Sequence, residues 1–161
     1  MTHIETKAEE VIKAYTKAKW MIATAESCTG GMIVGALTDI AGSSAVVDRG
    51  FVTYSNEAKM DMLGVLEQTL ERHGAVSEQT AYEMAQGALG NSDAHAAIAV
   101  TGIAGPGGGS DEKPVGLVYM GIATDKGVNV HKLHLGADKT RAEIRMATVD
   151  RALDELIRLI P

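Results

Sequence analysis

Cysteine is nearly absent from this chain of 161 residues: Cys28 stands alone, so no disulfide can form within it and the fold must rest on a packed core. Proline occurs three times, tryptophan and phenylalanine once each, and aromatic residues reach only 4%. No basic stretch interleaved with aromatics is present, and the formal net charge is −6, which argues against a nucleic-acid partner. No apolar run approaches the roughly 18 residues a membrane span needs, so no membrane partner is expected either. The opening Met1-Thr2-His3-Ile4-Glu5-Thr6-Lys7 has neither the basic start nor the apolar stretch of a secretory signal. With a lone cysteine, these absences point to a cytoplasmic protein. What the chain does have is glycine, 18 of them, and 45% hydrophobic residues, enough for a single domain over 1–161.

Helical and extended patterns alternate. Apolar residues at Ile4, Ala8, Val11, Ile12 and Tyr15 mark one face of a helix over 4–19. Trp20–Ala25 reads as a strand, 30–39 as a helix, 40–44 as a loop and Val46–Tyr54 as a second strand. Ser55 caps a helix over 56–63, a short helix over 66–72 ends at Gly74, and Ser77 caps another over 78–89. Ala94–Thr101 is almost wholly apolar, as a central strand buried on both faces would be. After a glycine-rich loop over 102–114, Val115–Ala123 and Val128–Leu135 form a hairpin around Thr124-Asp125-Lys126-Gly127. Asp138 is the expected cap of a last helix over 139–160. The expectation is a three-layer α/β/α sandwich with a mixed, centrally parallel sheet. Parallel early strands would bring Ser27, Tyr54 and Thr101 to one edge, where such sheets bind ligands. Apolar surface is expected around the last two strands, consistent with a homodimer.

The segment Ala25-Glu26-Ser27-Cys28-Thr29-Gly30-Gly31 joins the first strand to an apolar helix. Small hydroxyl and thiol groups there sit beside the first N–H groups of a helix, which lack internal partners and face the positive dipole end. Such a corner can bind an anion or hold an oxyanion beside an attacking Ser27 or Cys28, with Thr29, Gly30 and Gly31 as donors. It is equally a plain strand-to-helix turn. There is no Gly-x-Ser-x-Gly elbow. His3 and His73 lie at a terminus and a turn, His95 opens a strand, and His131 and His134 leave opposite faces of a strand, so no metal site is expected. Lysine also activates serine, and Lys59 follows closely behind Tyr54. Burial near a helix start would favour its neutral amine, whereas a solvated surface lysine would stay charged. Arg141, early in the last helix, opposes the dipole; it either meets an anionic ligand or pairs with Asp138 or Glu143. The loop Thr101-Gly102-Ile103-Ala104-Gly105-Pro106 lacks the endings of a P-loop or a dinucleotide fingerprint, so no ATP or NAD cofactor is implied.

These segments, with Asp39-Ile40-Ala41-Gly42-Ser43-Ser44, Gly50-Phe51-Val52-Thr53-Tyr54-Ser55-Asn56-Glu57-Ala58-Lys59, Gly74-Ala75-Val76-Ser77 and Lys113-Pro114-Val115-Gly116, resemble the CinA C-terminal domain family of nicotinamide-nucleotide amidases in its stand-alone form. The resemblance spans nearly the whole chain in one order. It implies cofactor-free hydrolysis of nicotinamide mononucleotide to nicotinate mononucleotide and ammonia, as in pyridine nucleotide salvage. It implies Ser27 as nucleophile, Lys59 as base, and Tyr54, Ser44, Thr101 and Arg141 in support. In the mechanism expected from these roles Lys59 takes the Ser27 proton directly or through Ser44, and Arg141 and the Thr101-Gly102 loop grip the phosphate and ribose. A noncatalytic nucleotide-binding module would use the same pocket without releasing ammonia. A direct DNA role, suggested by the family's association with competence, is disfavoured by the acidic charge.

Overall fold

The computed structural model describes residues 1–160. Its six helices and five strands run in the order α1 (His3–Ala18), β1 (Ile22–Glu26), α2 (Met32–Thr38), β2 (Val47–Val52), α3 (Asn56–Leu63), α4 (Glu67–His73), α5 (Glu78–Gly90), β3 (Ala96–Gly102), β4 (Leu117–Thr124), β5 (Gly127–His134) and α6 (Arg141–Leu159). The strands form one sheet in the order β2-β1-β3-β4-β5. β1 pairs in parallel with both β2 and β3, whereas β4 runs antiparallel to β3 and β5. The expected centrally parallel, mixed α/β sheet is therefore present, and its three parallel strands end on one edge.

Two faces of different side-chain size explain the layering. Side chains alternate across a strand. Along β1 and β3, Ile22, Ile98 and Val100 face one side and join a core with Val11, Ile33, Leu37, Val149 and Leu153, from α1, α2 and α6. Ala23, Ala25, Ala97 and Ala99 face the other and pack with Leu63, Met84, Ala85 and Ala88, from α3 and α5. An all-alanine face lets α5 lie close against the sheet. At Gly121 in β4 a Cβ would come within 2.5 Å of the Ala81 carbonyl oxygen. The residues between Ala23 and Ala99 thus set a tight layer on the side where α3 carries Lys59.

Caps account for most helix ends. Thr2 and Glu5 form a reciprocal capping box on α1, Ser55 accepts from Ala58 N–H on α3, and Ser77 accepts from Thr80 N–H on α5. The last helix departs from expectation: its cap is Thr140, boxed with Glu143, and Asp138 lies in the loop before it. A Thr-x-x-Glu box satisfies two terminal N–H groups at once, which a lone Asp138 would not. The loop over 40–44 also tightens into a short 3-10 turn at Ser43–Ala45. Among the described residues, the large exposed apolar side chains are Met1, Val52, Tyr54, Met62, Leu66, Tyr82 and Met146. None lies on β4 or β5 themselves, although exposed Tyr82 of α5 stands beside them near Ile122 and Val128. No described helix is long and apolar enough to cross a membrane.

Candidate active site

Three strand ends converge as the parallel reading requires. β1 ends at Glu26, and Ser27 N–H donates to Val100 O of β3 at 3.1 Å, while Thr53 N–H donates to Glu26 O at 3.0 Å. Alternation decides what Ser27 faces. Glu26 points toward α2, so Ser27 points the other way, toward α3. There Lys59 is 1% exposed, and its Nζ lies 2.9 Å from Ser27 Oγ. The same nitrogen donates to Thr53 O at 2.8 Å and to Tyr54 O at 3.2 Å.

Those two carbonyls orient the amine. A neutral amine has two N–H bonds and one lone pair. With the N–H bonds on Thr53 and Tyr54, the lone pair is left facing Ser27 Oγ, the geometry of a base accepting a hydroxyl proton. Burial pushes the Lys59 amine down to about 8. A surface lysine would show neither the burial nor the shift. Cys28, beside Ser27, is 7% exposed, and burial raises its thiol to about 11. The thiol is thus protonated where the amine begins to lose its proton, so the two rival nucleophiles are unequally prepared.

The start of α2 differs from the corner pictured from sequence. The Glu26 carboxylate, fully buried, accepts from Ile33 N–H at 2.8 Å, Val34 N–H at 3.1 Å and Thr29 Oγ at 2.6 Å. The helix N-terminus therefore already holds an anion, supplied by its own strand. Gly30 N–H is taken by Ser27 O at 3.1 Å. Thr29 is buried, and Thr29, Gly30 and Gly31 lie outside the lining of the cleft beside Ser27. Cys28, one residue past Ser27, does line it.

That cleft has a volume of about 280 Å³ and runs from Ser27, Cys28 and Lys59 past Thr101 and Gly102 to Tyr54 and Arg141. Thr101 Oγ donates to Ala75 O at 2.7 Å, tying β3 to the segment before α5. Gly102 is needed for close strand packing, since a Cβ there would sit 2.6 Å from Val118 Cγ2. Arg141 donates to Gly105 O at 2.8 Å and to Tyr54 Oη at 3.0 Å. It pairs with neither Asp138 nor Glu143, and among the described residues no carboxylate forms an ion pair with it at the mouth. Ser44 is elsewhere. It is exposed in the 3-10 turn that precedes β2, at the opposite end of that strand from Tyr54. The direct contact between Lys59 and Ser27 leaves no gap for a relay through it. Among the described residues no group of three or more His, Cys, Asp or Glu side chains converges as a metal site would.

The CinA C-terminal domain model matches residues 4–160. The chain belongs to the CinA C-terminal domain family. It is 59% identical to the competence/damage inducible protein CihA from Agrobacterium tumefaciens, whose crystal structure superposes with a TM-score of 0.95 over 99% of this chain and 96% of that one. A CinA superfamily protein from Klebsiella pneumoniae, 33% identical, superposes at 0.93 over 99% of this chain and 98% of the other. A protein of Enterobacter agglomerans named nicotinamide-nucleotide amidohydrolase PncC is 53% identical over 151 residues, covering 91% of this chain and 92% of its own. Other curated relatives are longer. A Caldicellulosiruptor bescii protein named for competence and damage induction is 55% identical over 94% of this chain, which spans 36% of that protein.

Within this CinA-type fold, Ser27, Lys59, Tyr54, Thr101, Gly102 and Arg141 gather around one cleft, whereas Ser44, Thr29, Gly30 and Gly31 do not line it. Sequence reasoning missed the carbonyls that hold Lys59, the role of Glu26 as the plug of α2, and Arg145. The last donates Nε to Cys28 O at 3.0 Å and Nη2 to Thr29 O at 3.2 Å. One signal was available for it: Arg145 lies one helical turn after Arg141, on the same face.

Proposed function

We propose that this protein hydrolyses the carboxamide of nicotinamide mononucleotide to nicotinate mononucleotide and ammonia, with Ser27 as nucleophile and Lys59 as base. The observation that carries the reading is the 2.9 Å contact between a buried amine, shifted to about 8, and a hydroxyl at the foot of a cleft. The name of the Enterobacter relative supports the choice of substrate. In the first step Lys59 takes the Ser27 proton and the oxygen attacks the amide carbon. The amide of Cys28, next to the nucleophile and on the cleft wall, is the candidate donor to the resulting oxyanion. Lys59 then returns its proton to the departing ammonia, leaving an acyl-Ser27. A water that Lys59 deprotonates cleaves this ester, releasing the carboxylate and restoring Ser27.

Size and charge fit the two ends of such a substrate. A cleft of about 280 Å³ lies just below the range typical of whole drug-sized ligands, about 300–1,000 Å³, so it suits a pyridine carboxamide held deep with the sugar phosphate at the mouth. Arg141, without a carboxylate partner, is placed there to meet the phosphate, and Tyr54 is held beside it. The test is ammonia release from nicotinamide mononucleotide, its riboside and the free base. The mononucleotide should be turned over best and the free base least. Tight binding with no ammonia released would instead mark a nucleotide-binding module and end the amidase reading.

A further inference from the structure

We propose that Arg145 is a positioning residue that clamps the nucleophile's turn, acting through the main chain and without touching substrate. The kinetic part of this inference rests on the amidase reading above. Ser27 opens a turn whose later members, Gly30 and Gly31, have φ of 60° and 104°, where glycine is permissive and the main chain gains little stiffness of its own. Within the turn only two backbone bonds brace it, Gly30 N–H to Ser27 O and Met32 N–H to Thr29 O, each 3.1 Å. Arg145 supplies the restraint from outside. Its half-buried guanidinium donates to the carbonyls of Cys28 and Thr29, the two residues directly after the nucleophile.

A planar fork that meets two successive carbonyls fixes their orientation as well as their position. Glu26 holds the far side of the same turn through α2, so the segment between is gripped from both ends. No carboxylate lies within ion-pair distance of Arg145 among the described residues, although five other lysine or arginine side chains, Lys7, Lys13, Arg49, Arg151 and Arg158, have one. Its charge is thus spent on the turn alone. The spacing in α6 completes the picture. Arg141 braces Tyr54 and the Gly105 loop, and one turn later Arg145 braces the strand-to-helix corner, so a single helix face holds both walls of the cleft. If the corner relaxes, Ser27 Oγ drifts from Lys59 and the Cys28 amide turns away from the reacting carbonyl. A misplacement of about 1 Å in such a site costs about 10²-fold in rate.

Arg145→Met and Arg145→Lys should be compared with wild type in steady-state ammonia release and in hydrogen exchange of the 27–31 amides. The methionine variant should lose about 10²-fold in kcat with KM within about twofold and an unchanged pH midpoint. The lysine variant, which keeps the charge without the fork, should lose about tenfold. Added guanidinium should recover part of the methionine variant's rate. Exchange over 27–31 should quicken by more than about tenfold while α3 is unaffected. Unaltered exchange over 27–31, a kcat within about twofold of wild type in both variants, or a loss appearing wholly in KM would overturn the clamp. Exchange is read without substrate. A wild type that releases no ammonia, with exchange still quickened in the variants, would sink the amidase reading and leave the clamp standing.

Discussion

At the scale of single residues, the proposed chemistry is divided between a hydroxyl and an amine that no motif joins in sequence. Ser27 and Lys59 are 32 positions apart, and only the parallel pairing of β1 with β2 brings the second strand's exit, and α3 behind it, beside the first. Ser27→Ala should therefore abolish ammonia release by about 10³-fold or more, whereas Cys28→Ala should keep it within a few-fold. The reverse pattern in the same assay would transfer the chemistry to the thiol. The amine sets the pH dependence. Only unprotonated Lys59 can accept the Ser27 proton, so turnover should rise with pH and level off above about 8. Stability should follow the same group. Its folded value lies below the ordinary lysine value, so between about 8 and 10.5 the unfolded chain binds more protons, and the folded state gains as pH rises. The gain relative to Lys59→Met, of order 3 kcal/mol, is missing below pH 8 and complete above about 10.5. Denaturant unfolding of both proteins at pH 7 and pH 10 reads it, and a constant difference would refute it. The residue types at this site were legible in sequence, but the burial of Lys59 was not, because α3 shows a polar face to any periodicity argument.

At the scale of elements, the contact between α3 and α5 sets where Lys59 sits. The end of α3 lies directly on α5, and a Cβ at Gly87 would come within 1.9 Å of the Leu63 carbonyl oxygen. Gly87→Ala must push α3 outward or unwind its end, since the obstacle is backbone and cannot rotate aside. The expected result is a loss of about 1–3 kcal/mol in urea unfolding together with reduced turnover, because Lys59 moves with its helix. Wild-type stability and rate in that variant would show the crossing to be looser than it is drawn. Element boundaries were largely readable from caps: Ser55 and Ser77 start α3 and α5 where expected. The start of the last helix is ambiguous in sequence, because Asp138 and Thr140 are both good caps and only the Glu three residues after Thr140 separates them. The closed state of the α2 N-terminus is hidden from sequence for a related reason. Glu26 lies seven residues before Ile33, and a helix end plugged by its own strand leaves no local sequence signature.

For the whole molecule, the first and last helices are joined far from the cleft. Tyr15, fully buried, donates its hydroxyl to Leu156 O at 2.8 Å, a contact between residues 141 positions apart. Tyr15→Phe should cost about 1–2 kcal/mol in a single unfolding transition while leaving turnover per folded molecule unchanged. A change in turnover would mean that the α1–α6 layer couples to the cleft. The layered α/β plan followed from alternating patterns, and the family from motifs spread along the chain. The position of Ser44 did not follow, since only the direction of β2 places it at the far end of the strand from Tyr54. The central claim is that the Lys59 amine facing Ser27 loses its proton near pH 8, well below the range of an ordinary lysine. The most direct measurement is a titration of the Lys59 side chain itself, followed through its ¹³Cε resonance and assigned by its disappearance in Lys59→Met. The account predicts a midpoint near 8. A midpoint near 10.5, the ordinary lysine value, would contradict it.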